Sequence, residues 1–265
     1  MSQPVPPEYM PWNEQPPPPR NKRTGLKATV LSLILILAVL VILNETVFRI
    51  SSADVQGTRR ISKSTVLEAA GLNRFTNYFS VNEEKIAKGI NSNRYLVFEK
   101  LEKVFPNALI IYVRERSPVA KAQEMGAVFQ MDEEGMVLEQ SNVLIKENEE
   151  NDGLIIITGL KPKELRVGRK MVAGTESQEQ AYLLVIQELT LQGYLGQVSE
   201  LNLSDPDNIY LTTRDGYNVR LGDISDLRAK IGTVRAVVAE LRAMELKGGL
   251  LEATIPGEVI YNGEQ

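Results

Sequence analysis

The feature that most constrains this chain is a long apolar run near its N-terminus. Between residues 28 and 43 the only polar side chains are Thr29 and Ser32. A helix of this length spans about 24 Å, and extension through Phe48 brings it to the roughly 30 Å of a bilayer's hydrocarbon core. Apolar residues continue all round the helix, so it lacks the polar face of a helix in a soluble domain. We therefore predict that residues 27–48 form a membrane-spanning helix.

A cleaved signal peptide is the main alternative for this run. Signal peptides have an apolar region of about 7–15 residues that ends in small residues at a cleavage site. Here the run is longer, and Asn44-Glu45-Thr46 offers no such site. The sequence therefore favours an uncleaved anchor.

The charges on either side of the apolar run predict its orientation. The first 27 residues carry four basic and two acidic side chains, whereas residues 28–265 carry 26 basic and 32 acidic ones. Basic residues beside a span stay in the cytoplasm. We expect a single-pass plasma-membrane protein with a cytoplasmic N-terminus and an extracytoplasmic C-terminus. Eight of the thirteen prolines fall in the first 20 residues, so residues 1–26 are predicted to be a disordered cytoplasmic tail.

Composition excludes several kinds of chemistry. The chain has no histidine and no cysteine, which removes the usual general base, the common zinc ligands and the thiol nucleophile. A net charge of −4 argues against binding to nucleic acid. The carboxylates of Asp132-Glu133-Glu134 lack the spacing of a calcium loop and are interpreted as a hairpin tip. We expect no cofactor, no metal and no small-molecule substrate.

Residues 49–117 have the pattern of a small domain in the order strand, helix, helix, strand, strand. Capping-box spacings at Thr65 with Glu68 and at Ser80 with Glu83 predict two helix starts. Alternating apolar residues then predict two strands on either side of a turn at Pro106. Such a sheet offers edges for contacts and no polar cleft, so binding a partner is its natural activity.

Residues 118–250 are predicted to form a second, mixed β-sheet domain with flanking helices, which makes the fold class α+β. Residues 176–192 are predicted to be helical, and a second helix, with Asp223 or Ser225 as its cap, is predicted to end at Met244. Asp215-Gly216 is a strong hairpin signal between two strands.

Four segments, in this order and spacing, resemble the FtsQ/DivIB family of bacterial cell division proteins. The resemblance implies a POTRA domain over residues 49–117 and the family's β domain over 118–250. The segments are Ala53-Asp54-Val55-Gln56-Gly57, Val66-Leu67-Glu68-Ala69-Ala70-Gly71-Leu72, Phe105-Pro106-Asn107-Ala108-Leu109-Ile110-Ile111 and Val113-Arg114-Glu115-Arg116-Ser117-Pro118-Val119-Ala120.

The resemblance also implies a function and a binding site. It implies a scaffold at the division septum that bridges FtsB/DivIC-like and FtsL-like coiled-coil partners and helps to regulate septal peptidoglycan synthesis. Residues 251–265 are predicted to be a terminal edge strand and tail, within strand-like segments at 250–255 and 259–261. The alternative is that this strand only completes its own sheet. The candidate partner-binding residues are Thr254, Ile255, Gly257, Glu258 and Val259.

Two other functions remain open from the sequence. A membrane-anchored enzyme that processes the cell wall needs paired carboxylates in a cleft or an activated nucleophile, and no such pattern occurs, so we expect no enzymatic activity. A secretion or assembly factor with a POTRA domain usually repeats that domain or adds a barrel, and neither is present in this sequence.

Overall fold

The computed structural model describes residues 22–73, 75–142 and 152–263, with side chains from Leu26 onward. Most of the predicted tail, residues 1–21, lies outside the described residues. Helix α1, Lys22–Thr46, covers residues 27–46 of the predicted span, and Val47 and Phe48 lie beyond its end. Within its segment Leu26–Thr46 an 18-residue stretch has a mean hydropathy of 2.8 and no buried residue, so the helix fits a membrane anchor. It is the one helix of the described chain with the length and composition to cross a bilayer.

A small domain, which we call the membrane-proximal unit, follows α1 directly. Its order of strand, helix, helix, strand, strand is as predicted, with a short 3-10 helix at Tyr78–Ser80 before the second helix. Strand β3 lies in the centre of the sheet, parallel to β1 and antiparallel to β2. The core side chains are Val55, Val66, Ile86, Ile90, Leu96, Leu109, Ile111 and Val113. The elements are β1 Ser52–Gln56, α2 Lys63–Ala69, α3 Glu83–Asn91, β2 Leu96–Val104 and β3 Ala108–Glu115.

The predicted starts of these two helices are wrong by two or three residues. The side chain of Ser62 caps α2 by accepting a hydrogen bond from the Thr65 amide, and Asn82 caps α3 in the same way. Both caps have extended backbone, as N-cap residues require. Several Ser, Thr and Asn residues lie near each start, and spacing alone does not single out the residue whose backbone turns.

The remainder of the described chain, which we call the second unit, is built on one nine-stranded sheet. The strand order is β12-β11-β10-β9-β8-β7-β4-β5-β6. The two helices of this unit contribute buried residues to the same hydrophobic core as the sheet. The elements are β4 Ala120–Glu124, β5 Ala127–Met131, β6 Val137–Ser141, β7 Ile155–Thr158, α4 Glu176–Leu191, β8 Val198–Asn202, β9 Ile209–Thr213, β10 Tyr217–Gly222, α5 Leu227–Ala243, β11 Gly249–Glu252 and β12 Ile260–Asn262.

The predicted cap of α5 is also wrong. Asp226 occupies the N-cap position with left-handed backbone and makes no side-chain cap bond. Asp223 instead accepts hydrogen bonds from the amide and hydroxyl of Ser225 and from the ammonium of Lys230, which is 1% exposed. These hydrogen bonds, from Ser225 first and then Lys230, lower the pKa of Asp223 to about 2. The Asp223 carboxylate thus pairs with the buried ammonium of Lys230 and does not cap the helix.

Candidate partner-binding site

Strand β12 forms one edge of the nine-stranded sheet. It pairs antiparallel with β11, with Leu251 opposite Tyr261 and Glu252 opposite Ile260. Within residues 22–73, 75–142 and 152–263, no strand lies beyond β12. A strand edge of this kind presents backbone N–H and C=O groups that can pair with a strand of another chain.

The opposite edge of the same sheet is partly covered. Strand β6 begins beside the segment 164–172, with hydrogen bonds from the Val137 amide to the Arg169 carbonyl at 2.9 Å and from the Gly168 amide to the Val137 carbonyl at 2.8 Å. The start of β6 is therefore already paired. This makes β12 the more accessible of the two edges for strand addition.

Tyr261 fixes β12 onto the sheet. Its ring packs against the core and lies 6.5 Å from the ring of Tyr217, and its hydroxyl donates to the Gly248 carbonyl at 3.2 Å. Burial raises the pKa of Tyr217, and Tyr261 adds to this effect, so Tyr217 stays neutral and donates its hydroxyl proton to the Leu246 carbonyl. The edge strand therefore has one inward aromatic side chain that sets its register.

Gly249 permits the close approach of β12. Its φ of +103° is unfavourable for residues with a side chain. A Cβ at this position would lie 2.8 Å from the Asn262 carbonyl oxygen and 2.8 Å from Cε2 of Tyr261. The absence of a side chain here is therefore needed for the strand pair.

The five candidate residues lie in the connection between β11 and β12 rather than on a strand. The strand predicted at 250–255 ends at Glu252, and Thr254, Ile255, Gly257, Glu258 and Val259 follow it. Pro256 lacks an amide proton, and the chain turns at Gly257, where φ is +82°. A hydrogen bond from the Glu258 amide to the Ile255 carbonyl at 3.1 Å closes this turn.

The turn still places the candidate residues at the open edge of the sheet. Thr254, Ile255, Gly257 and Glu258 are exposed, with Ile255 at 57%, while Val259 packs partly on the core. The structure therefore brings the five residues together as one short loop leading into the edge strand. Whether they bind a partner stays a prediction.

Ile260 is a further candidate that the sequence reasoning missed. It lies on β12 and is 62% exposed, on the face opposite Tyr261. Its register partner Glu252 forms an ion pair with Arg220 at 3.3 Å. The alternation of Ile260, Tyr261 and Asn262 was the available signal, because an inward aromatic in the middle forces its neighbours outward.

The carboxylates of the acidic hairpin tip are paired with two arginines. Arg114 donates to Glu133 at 3.0 Å and to Glu134 at 2.5 Å, and Arg116 donates to Asp132 and to Glu134. In the part of the chain that the structure describes, no group of three or more carboxylates could hold a metal ion. These carboxylates therefore serve the contact between the two units.

Comparison with protein families assigns both units. The FtsQ-type POTRA domain model matches residues 48–116, and the C-terminal domain model of the cell division protein FtsQ/DivIB matches residues 122–253. Together these matches cover most of the chain and agree with the two units seen in the structure. The second match includes β11 and ends before β12.

Curated relatives point the same way. The chain is 23% identical to the cell division protein DivIB of Clostridium botulinum, over 91% of this chain and 93% of that protein. It is 26% identical to the cell division protein FtsQ of Syntrophotalea carbinolica, over 76% of this chain and 77% of that protein. A solved structure of the major extracytoplasmic domain of DivIB from Geobacillus stearothermophilus is 18% identical, with a TM-score of 0.31, over 49% of this chain and 96% of that one. This chain belongs to the FtsQ/DivIB family of bacterial cell division proteins.

Proposed function

We propose that this chain is a scaffold of the division machinery that captures its partners along β12. The observation that carries the proposal is the open edge of β12, fixed in place by Tyr261 and preceded by the exposed loop at 254–259. A partner strand would hydrogen-bond to β12, while side chains such as Ile255 and Ile260 would bury apolar surface against it. Binding of this kind needs no catalytic group.

The partners we propose are FtsB/DivIC-like and FtsL-like coiled-coil proteins at the septum. By bridging them, the chain would help to regulate septal peptidoglycan synthesis. The excess of basic over acidic residues in the first 27 positions supports a cytoplasmic N-terminus, which would leave both units on the outer side of the plasma membrane, where the septal wall is made. The cell division family supports this setting and is not a known family of enzymes.

Substitutions in the loop and on β12 test the proposal. Ile255→Lys and Ile260→Lys place a charge on exposed positions, so the fold should be preserved while an apolar contact with the partner is lost. We expect each variant to stay in the membrane but to lose co-purification with the coiled-coil partners. Val259→Pro should have the same effect, although Val259 is partly buried, so this substitution also disturbs packing against the core.

Met125→Lys is the matched control, because Met125 is 97% exposed at the β4–β5 turn, far along the sheet order from β12. It should co-purify as the unmodified chain does. Undiminished co-purification of both lysine variants at 255 and 260 would reject this binding site. Release of fragments from peptidoglycan by the purified full-length chain would instead favour the wall-enzyme alternative.

A further inference from the structure

Four of the six phenylalanines of the chain lie where α1 enters the membrane-proximal unit. The ring of Phe48 lies 4.9 Å from that of Phe79 and 5.9 Å from that of Phe105, and Tyr78 lies within 6 Å of both of these partners. Phe75, Phe79 and Phe105 are 64%, 65% and 67% exposed. We call Phe48, Phe75, Tyr78, Phe79 and Phe105 the aromatic cluster.

This exposed surface is held firmly to the end of the membrane helix. The side-chain amide of Asn77 donates to the carbonyl oxygen of Asn44, in the last turn of α1, at 2.7 Å. The loop carrying Phe75 and Phe79 therefore cannot swing away from the helix without breaking this bond and the backbone bonds beside it. Those backbone bonds run from the Tyr78 amide to the Phe48 carbonyl (2.7 Å), from the Ile50 amide to the Thr76 carbonyl (2.9 Å) and from the Ser51 amide to the Asn107 carbonyl (2.9 Å).

The length of the span sets the height of the cluster. The 21 residues Leu26–Thr46 rise about 31 Å as a helix, which matches the roughly 30 Å of the hydrocarbon core. Phe48 follows two residues later, at the level of the lipid headgroups. Tyrosine is enriched at that level because its ring has a polar group, and phenylalanine is among the residues that interfacial segments bury at the boundary between headgroups and acyl chains. Arg49, whose guanidinium lies 5.5 Å from the centre of the Phe75 ring, pairs with Glu45 at 3.2 Å and so links the cluster to the last turn of α1.

We propose that the aromatic cluster inserts into the headgroup layer of the bilayer around α1. The occupant of this apolar surface is lipid, since the cluster is continuous with the membrane helix in both sequence and space. Insertion holds the membrane-proximal unit against the membrane and so fixes its sheet at one height and tilt. This inference stands independently of which partners bind β12.

Single tryptophan reporters test the insertion in the full-length chain. Trp12 is the one native tryptophan, so Trp12→Phe removes the chain's own tryptophan fluorescence. On it, Phe79→Trp and Phe105→Trp report on the cluster, and Leu191→Trp, at a 73% exposed apolar position of the second unit, is the matched control. Each variant is reconstituted, at several protein-to-lipid ratios, into vesicles of phosphatidylcholine and phosphatidylglycerol with or without bromine on the upper acyl chain.

Insertion predicts blue-shifted emission and loss of most fluorescence in brominated vesicles for both cluster reporters, at every protein-to-lipid ratio, and neither effect for Leu191→Trp. Either cluster reporter suffices if the other variant fails to fold. Emission and quenching equal to those of the Leu191→Trp control would overturn the proposal. A blue shift that needs high protein density and is not quenched by brominated lipid would also overturn it, by showing that a second copy covers the cluster.

Discussion

Glu115, the last residue of β3, shows how one carboxylate organises the membrane-proximal unit. Its Oε1 accepts hydrogen bonds from the backbone amides of Arg59, Arg60 and Ile61 at 2.7, 2.9 and 2.8 Å. Burial opposes ionisation, but these three donors outweigh it, so the pKa of Glu115 is lowered. The carboxylate thereby fixes the loop that leads into α2.

Glu115→Ala should therefore cost about 2 kcal/mol of local stability, the usual value of hydrogen bonds to a charged acceptor. The loss should show as faster hydrogen exchange at the amides of residues 59–61 in the full-length chain in detergent micelles. Glu99→Ala is the control. Glu99 is half exposed and its carboxylate lies 3.9 Å from Arg114, a long and weak ion pair, so its removal should change little. Unchanged exchange at residues 59–61 in Glu115→Ala would show that the loop holds without the carboxylate.

The same carboxylate predicts a pH dependence. A pKa lowered in the folded state means that the stabilisation is fully present above the unfolded pKa of a glutamate, near 4.5, and is lost as pH falls through the lowered folded value. Protection of residues 59–61 should therefore decrease below about pH 4.5. In Glu115→Gln this dependence should be weaker, and an equal dependence would assign it to other groups.

Among the elements, the β11–β12 pair depends most on a single backbone position. Gly249→Ala would bring a methyl group against the Asn262 carbonyl and the Tyr261 ring, in addition to its backbone strain at φ +103°. We expect loss of about 2 kcal/mol or more from the strand pair, seen as faster exchange in β12 and as weaker co-purification of partners.

Gly126→Ala separates the clash from the strain. Gly126 also has a positive φ, +79°, but nothing lies within 4 Å of a Cβ added there. It should cost only the backbone strain, of about 1 kcal/mol, and leave β12 protected. If the amides of β12 exchange equally slowly in both alanine variants, the close approach at Gly249 is not what holds the strand.

Local pattern predicted the type of most elements, and particular residues show where it stopped. Alternating apolar residues predict the two strands on either side of Pro106, and β3 does alternate between buried and more exposed residues. The sequence pattern does not identify the N-caps Ser62 and Asn82. Which residue caps a helix depends on the hydrogen bonds that hold the preceding loop, such as those from residues 59–61 to Glu115. At the candidate site the pattern predicts strand for Thr254, Ile255 and Val259, but these residues lie in the turn, because Ile255 and Val259 are apolar without being paired.

At the scale of the whole molecule, the two units are joined by a network of charges. Arg116 is 9% exposed and bonds to Asp132, which is 2% exposed, and to Glu134 at 2.8 Å. Burial opposes ionisation of Glu134, but hydrogen bonds from Arg116 and Arg114 lower its pKa. The main chain of the hairpin tip is held as well, since Tyr182 donates to the Asp132 carbonyl at 2.7 Å. The contact therefore has a buried centre at Arg116 and an exposed rim at Arg114.

Arg116→Ala should loosen this joint, because it leaves the buried Asp132 carboxylate without its cation, at a cost of about 3–5 kcal/mol. Arg114→Ala, at a side chain that is 35% exposed, should cost about 1 kcal/mol or less. The chain has no cysteine, so spin labels at Lys88→Cys and Glu240→Cys report the distance between the units. The distance distribution should broaden in Arg116→Ala only; equal widths in both variants would contradict a buried centre.

We propose a unit held at the membrane, a charged joint and a sheet whose terminal edge binds a partner. The most direct test of that edge is crosslinking in dividing cells from a photoreactive amino acid at Ile260, with Met125 as the exposed control position. We expect adducts with the FtsB/DivIC-like partner from position 260 and none from position 125. No adduct from position 260 in cells where the protein is at midcell, or equal adducts from both positions, would contradict it.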